Sequence, residues 1–187
     1  MRHPLVLLVL FALLLPLGLQ AQTKFYGIPD NNAASGGGNV IPFGNGSAGT
    51  WDNQRYQSLA LKKFLPTKPG LFRSIAFSPT GSGTYQYKAM VVRIGHNTSG
   101  ALGPSWNNSF SQPPTTVINQ ANYNWQVTKD TWSPMPLTSP KPFLYNAKDN
   151  LVIEVLALGS SLNSKASFHR ETELRAYKAS FTPTGRV

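Results

Sequence analysis

Fifteen prolines and sixteen glycines are spread along all 187 residues, and they leave few windows long enough for a helix. Proline in a helix interior removes a backbone donor and clashes with the preceding turn, and glycine raises the entropic cost of ordering. What survives between the breakers is a series of short apolar or alternating runs separated by turn residues, the spacing of an all-β sandwich or barrel. Arg55 to Leu61 is one such run. Leu71 to Phe77 is another, with Ile75 and Phe77 on one face, closed by Ser78-Pro79-Thr80-Gly81. The turn Gly81-Ser82-Gly83 launches the longest run, Thr84 to Ile94, in which Met90, Val92 and Ile94 share a face and Tyr85, Tyr87, Ala89, Val91 and Arg93 take the other. Thr115 to Ile118 and Tyr123 to Thr128 read as weaker, polar strands, and Glu173 to Phe181 as the closing one. Leu151 to Leu158 is nearly apolar on both faces, as a central strand in a two-layer stack is. Only residues 162–178, through Leu162, Ala166, Arg170 and Leu174, carry spacing for a turn or two of helix.

The N-terminus has the layout of a secretory signal peptide: a basic start at Arg2, an apolar run from Leu5 to Leu15, breakers at Pro16 and Gly18, and a small residue at Ala21. That run is about half the roughly 20 residues a spanning helix needs. Cleavage is expected after Ala21, giving a secreted protein with no transmembrane segment in its mature chain. Asn31 to Thr50 then holds six Gly and four Asn, which cannot build much core; its one apolar anchor is Val40-Ile41-Pro42-Phe43. The organisation read from the sequence is a signal peptide over 1–21, a Gly/Asn-rich arm over 22–50 and a β-sandwich domain over 51–187.

The chain has no cysteine, which removes thiol catalysis, thiolate zinc sites and iron–sulfur clusters, and leaves the fold to its core. Exported chains of this size without disulfides point to a bacterial source. The formal charge is +10, one unit of which leaves with Arg2. The cations form two loose groups, Lys62, Lys63, Lys68 and Arg73, and Arg170, Arg175, Lys178 and Arg186, with no run of five like charges. Nucleic-acid binding calls for a concentrated basic stripe with base-stacking aromatics, and none is present. A diffuse attraction to polysaccharide or to an anionic cell-envelope polymer, screened by salt, suits an exported protein better, and a surface that is basic without any partner is the leading reading of the charge.

Catalytic chemistry is sparse. A glycosidase needs two carboxylates facing one cleft. Glu171 and Glu173 lie beside Arg170 and Arg175 and read as a surface ion-pair set. Glu154 sits inside the most apolar strand and must either point outward or find a partner. Beyond the leader the histidines are His96 and His169; neither is in a metal-spacing pair, and both read as loop residues. There is no Gly-x-Ser-x-Gly elbow, and Gly36-Gly37-Gly38 lacks the Gly-Lys-Ser/Thr of a phosphate cradle. Asp30-Asn31-Asn32 and Asp52-Asn53 offer oxygens to calcium, without EF-hand spacing. The expectation is a non-enzyme with no catalytic residues, no metal site and no cofactor. Asn45, Asn97 and Asn107 begin glycosylation sequons, which carry nothing in a bacterium.

Trp51, Trp106, Trp125 and Trp132 all lie near turn residues. Exposed Trp and Tyr on a sandwich rim can stack on sugar rings, and Trp106 and Trp125 with Tyr123 are the candidate binding set; the opposing reading is core packing.

Six motifs occur in order: Asn39-Val40-Ile41-Pro42-Phe43-Gly44, Arg55-Tyr56-Gln57, Ile75-Ala76-Phe77, the stretch Trp132 to Leu137, Pro142-Phe143-Leu144-Tyr145 and Asn150-Leu151-Val152-Ile153-Glu154-Val155. Together, over about residues 39–158, they resemble a family of uncharacterised exported bacterial β-sandwich modules, some with C-terminal sorting signals. The resemblance implies a jelly-roll-like two-sheet antiparallel β-sandwich and brings no catalytic residues. The chain departs from it at Pro140-Lys141, and no sorting tail follows Val187, which implies a freely released protein. The functional expectation is a non-catalytic module of the cell surface or extracellular matrix, with a carbohydrate-binding module as the alternative and a hydrolase using Glu154 or Glu171 as a distant third.

Overall fold

The computed structural model describes residues 41–44, 51–138 and 142–160, and the backbone of 38–39, 166–167 and 175–179. Among these, the chain is an antiparallel all-β sandwich. Its strands are β1 (Gly38–Asn39), β2 (Gln54–Ala60), β3 (Gly70–Phe72), β4 (Ser74–Pro79), β5 (Gly83–Asn97), β6 (Thr115–Val127), β7 (Ser133–Pro136), β8 (Phe143–Tyr145), β9 (Asn150–Ser160), β10 (Ala166–Ser167) and β11 (Arg175–Ala179). One sheet runs β11-β2-β9-β5-β6, a second β1-β10-β4-β7, and β3 pairs with β8. Neighbours such as β2 and β9 or β10 and β4 are far apart in sequence, so the chain crosses between layers as in a jelly roll.

β9 is the central strand of the five-stranded sheet, as its nearly apolar run, interrupted only by Glu154, predicts. Leu151, Val155 and Ala157 enter the main core, while strand alternation sends Val152, Glu154 and Leu156 to the opposite face, where they are also buried. The polar runs expected at Thr115–Ile118 and Tyr123–Thr128 are two ends of one strand, β6, because β5 supplies a partner along nearly its whole length. The run Leu71 to Phe77 is instead split at Arg73 between β3 and β4, and the Arg73 carbonyl accepts the Leu137 amide (3.1 Å) at the break. The helical turn allowed over 162–178 gives way to strand pairing wherever that stretch is described: β10 pairs with β4, and β11 with β2.

The faces of β5 differ from the simple alternation. Tyr85 and Tyr87 share the core with Met90, Val92 and Ile94, so the inward set changes from odd to even positions between 87 and 90. The shift falls on one transverse row. Asn122 of β6 has φ +50° and Gly159 of β9 has φ +61°, and a Cβ on Gly159 would stand 2.6 Å from Cγ and Cδ of Lys88. A local distortion shared by three strands lets both ends of a long strand face one core.

The Gly/Asn-rich arm also contributes more than the sequence suggests. β1 pairs with β10, and Phe43, fully buried, meets Phe77 and Trp125 at ring-centroid distances of 4.8 Å each. The sandwich core therefore begins before residue 51.

Candidate functional site

The most concentrated polar chemistry among the described residues lies on the side of the five-stranded sheet away from the main core. Gln57 of β2 and Arg93 of β5 are the direct cross-strand neighbours of Glu154, one on each side. Arg55, two residues from Gln57, projects from the same face. The Glu154 side chain is 1% exposed and fully engaged. Oε1 accepts from Arg93 Nη1 (2.8 Å), and Oε2 accepts from Arg55 Nη2 (2.9 Å), Arg55 Nε (3.1 Å) and Gln57 Nε2 (2.8 Å). A carboxylate this dry is tolerable only because two guanidiniums and an amide replace its water.

The β5–β6 connection crosses this cluster. Gln57 Nε2 also donates to the Trp106 carbonyl (2.8 Å), and the Arg55 guanidinium sits 4.7 Å from the centre of the Trp106 ring. The connection is pinned by Asn97, whose Nδ2 donates to the carbonyls of Ala101 (2.9 Å) and Ser109 (2.8 Å), and by the Ser111 amide on the His96 carbonyl (2.9 Å). Gly95 makes room for it: a Cβ there would come within 2.5 Å of the Phe110 ring.

Chemically, this arrangement neutralises and holds. A general acid or nucleophile must face substrate with a free lone pair or proton, and Glu154 faces its own sheet. Of the other carboxylates in the described chain, Asp149 accepts from Asn146 Nδ2 (2.7 Å), and Asp130 Oδ2 lies 3.9 Å from the exposed ammonium of its neighbour Lys129 while its buried Oδ1 has no hydrogen-bond partner. Glu171 and Glu173 lie outside the described residues, as do Asp30 and His169.

The sequence-selected aromatic set does not assemble. Trp125 is a core residue; its Nε1 donates to the Pro134 carbonyl (3.0 Å), and its ring packs on Phe43, Phe77 and Tyr85. Tyr123 is buried two residues away on the same face, and burial pushes its phenol up to about 12. Neither presents a ring to a ligand, which corrects the expectation that they join Trp106 as a platform. The alternation Tyr123-Asn124-Trp125-Gln126-Val127, apolar at odd positions and polar at even ones, is the signal that places the odd set inside. Of the three, Trp106 alone keeps a half-exposed ring, against Arg55.

His96, expected in a loop, belongs to β5 and packs on Phe143 (5.1 Å) and Tyr145 (6.2 Å). Its Nε2 accepts from the Asn146 amide (3.4 Å). Burial lowers its pKa, opposed by the Asp149 charge. The Asn53 oxygen considered for calcium instead accepts the Gly159 amide (2.8 Å), and among the described residues no three acidic or imidazole side chains gather as a metal set. Of the sequons, Asn97 is buried and occupied as a loop pin, Asn107 is exposed, and Asn45 lies outside the described residues. No described helix is long and apolar enough to cross a membrane. No family model matches the chain, and neither the curated proteins nor the solved structures contain a match.

Proposed function

We propose that the chain is an exported, non-catalytic β-sandwich module of the cell surface or extracellular matrix. The observation that carries this reading is the saturation of Glu154: the most deeply placed carboxylate of the described chain is consumed by Arg55, Arg93 and Gln57 in joining three strands. The signal-peptide layout of residues 1–21 and the ordered motifs resembling exported sandwich modules support the setting. The basic surface gives it a diffuse attraction to polysaccharide or anionic envelope polymer, with no nucleic acid among its partners.

The test is retention of the purified protein on insoluble polysaccharides and glycan arrays at low and moderate salt. The module reading expects binding that is weak, falls with salt and is unchanged in Trp106→Ala. Retention that survives salt and disappears in Trp106→Ala would replace it with aromatic sugar recognition centred on Trp106.

A further inference from the structure

Two large apolar side chains stand out in the described chain as exposed, Leu71 (53%) and Leu144 (59%). They are not scattered. Leu71 and Leu144 are direct cross-strand partners in the β3–β8 pair, so they form one apolar step on its outer side. The inner side of that pair is anchored: Phe72 packs on Phe143 (5.9 Å) and Tyr145 (5.8 Å). The two leucines are therefore held outward by a fixed ribbon.

Exposed cations flank the two strands of the step. Lys68 precedes β3 by two residues, Arg73 follows it directly, and Lys148 lies in the turn after β8; all three are exposed. Lys62, also exposed, is tied to the same end by its backbone amide on Asn150 Oδ1 (2.9 Å). Among the described residues, none of these four enters an ion pair. Among the described residues, the carboxylate at this end is Asp149, which is half-buried and held by Asn146.

We infer that the β3–β8 pair is a docking tip for an anionic lipid surface, with Leu71 and Leu144 entering the acyl boundary and Lys68, Arg73 and Lys148 meeting headgroup phosphates. Exposed apolar side chains flanked by cations are complementary to an anionic bilayer interface, where burial and electrostatic attraction act together. A purely polysaccharide surface leaves the leucines in water. Two side chains fall well short of the area a specific protein interface buries. The inference goes beyond the surface-module reading and is independent of glycan retention, which Trp106 tests on another face.

The absence of cysteine makes the test direct. Leu144→Cys and, at the opposite end of β5–β6, Gln126→Cys are each labelled with an environment-sensitive fluorophore in the otherwise unchanged chain. They are mixed with phosphatidylcholine vesicles, with and without an equal share of phosphatidylglycerol. The tip predicts a blue shift and lipid-quencher access at 144 but not at 126, only with the anionic lipid. Leu71→Ser/Leu144→Ser should lower vesicle partitioning roughly tenfold, and Lys68→Glu/Arg73→Glu should make it insensitive to anionic lipid. No shift at 144, or an equal shift at 126, overturns the inference. So does partitioning that ignores the leucine substitutions, which would assign this end to an anionic polymer if binding falls with salt, or to a second copy if mass rises with concentration.

Discussion

Arg93 and Glu154 face each other directly across β5 and β9 and close an ion pair of 2.8 Å, on the side of the sheet that strand alternation sets away from the main core. Arg55 closes the same carboxylate from β2 at 2.9 Å, so one anion joins three consecutive strands of the five-stranded sheet. The geometry pins register. Sliding β2 by one residue along β9 would turn Arg55 and Gln57 to the opposite face and strand Glu154.

Removing one member of this set should cost more than replacing all of it. Glu154→Gln leaves two guanidiniums facing each other without their anion, and a loss of about 3–5 kcal/mol is expected in urea unfolding. The combined replacement Arg55→Met/Glu154→Leu/Arg93→Leu should return most of that stability, because an apolar patch of similar volume needs no compensation. A single Glu154→Gln change costing under about 1 kcal/mol would show the pairs to be solvent-screened in solution.

The connection over this cluster depends on the smallness of Gly95. Gly95→Ala places a methyl against the Phe110 ring and should destabilise by about 1–3 kcal/mol. Phe110→Ala in the same chain should recover part of that loss, giving a coupling energy in a double-mutant cycle. Additive effects would mean that the ring moves aside freely.

That glycine also explains what the sequence did and did not disclose. Gly95 reads as a breaker that ends the strand and leaves His96 in a loop; it is small because Phe110 lies on it, and the strand continues to Asn97. Local pattern was sufficient for β9, whose apolar run has no competing reading, and for the demand that Glu154 find a partner. It was not sufficient to name Arg55 and Arg93, which are 99 and 61 residues away and become neighbours only through sheet order. The face change in β5 was hidden for the same reason. It depends on Lys88, Asn122 and Gly159 meeting in one row of three strands.

His96 gives the fold a pH dependence with a definite sign. Burial holds its imidazole below the ordinary 6.5, so the unfolded chain takes up the proton first as pH falls. Its contribution is fully present above 6.5 and is lost on acidification from there through the lower folded-state pKa. Urea midpoints measured well above and well below 6.5 should therefore diverge. His96→Phe, which keeps a ring on Phe143 and Tyr145, should narrow that divergence; an unchanged divergence would assign it to the carboxylates.

Tyr123 predicts the opposite limit. Its phenol, raised from 10.0 to about 12 by burial, stays neutral in the folded state while the unfolded chain ionises first. The contribution is complete below 10.0 and drains as pH rises towards 12. Tyr123→Phe should shift the alkaline unfolding midpoint upward, read by circular dichroism. A midpoint that stays in place would mean that Tyr85 and Tyr145, both also raised by burial, govern the transition.

Phe43 decides whether the Gly/Asn-rich arm is an appendage or part of the sandwich. Its ring is enclosed by Phe77, Trp125 and Tyr87, with centroids 4.8, 4.8 and 6.3 Å away, although it lies in a stretch too rich in Gly and Asn to form a core alone. Phe43→Ala should open a cavity beside Trp125 and lower stability by about 3–5 kcal/mol, whereas Phe43→Leu should lose clearly less. The buried indole supplies an independent readout: its emission should move to longer wavelength in Phe43→Ala as water reaches the Nε1 bond to the Pro134 carbonyl. If neither the urea midpoint nor the emission changed, Phe43 would be dispensable and the domain would begin at Trp51. If both change, the apolar anchor of the Gly/Asn-rich arm is a core element of the sandwich, continuous with the β1 strand that the arm adds to the second sheet.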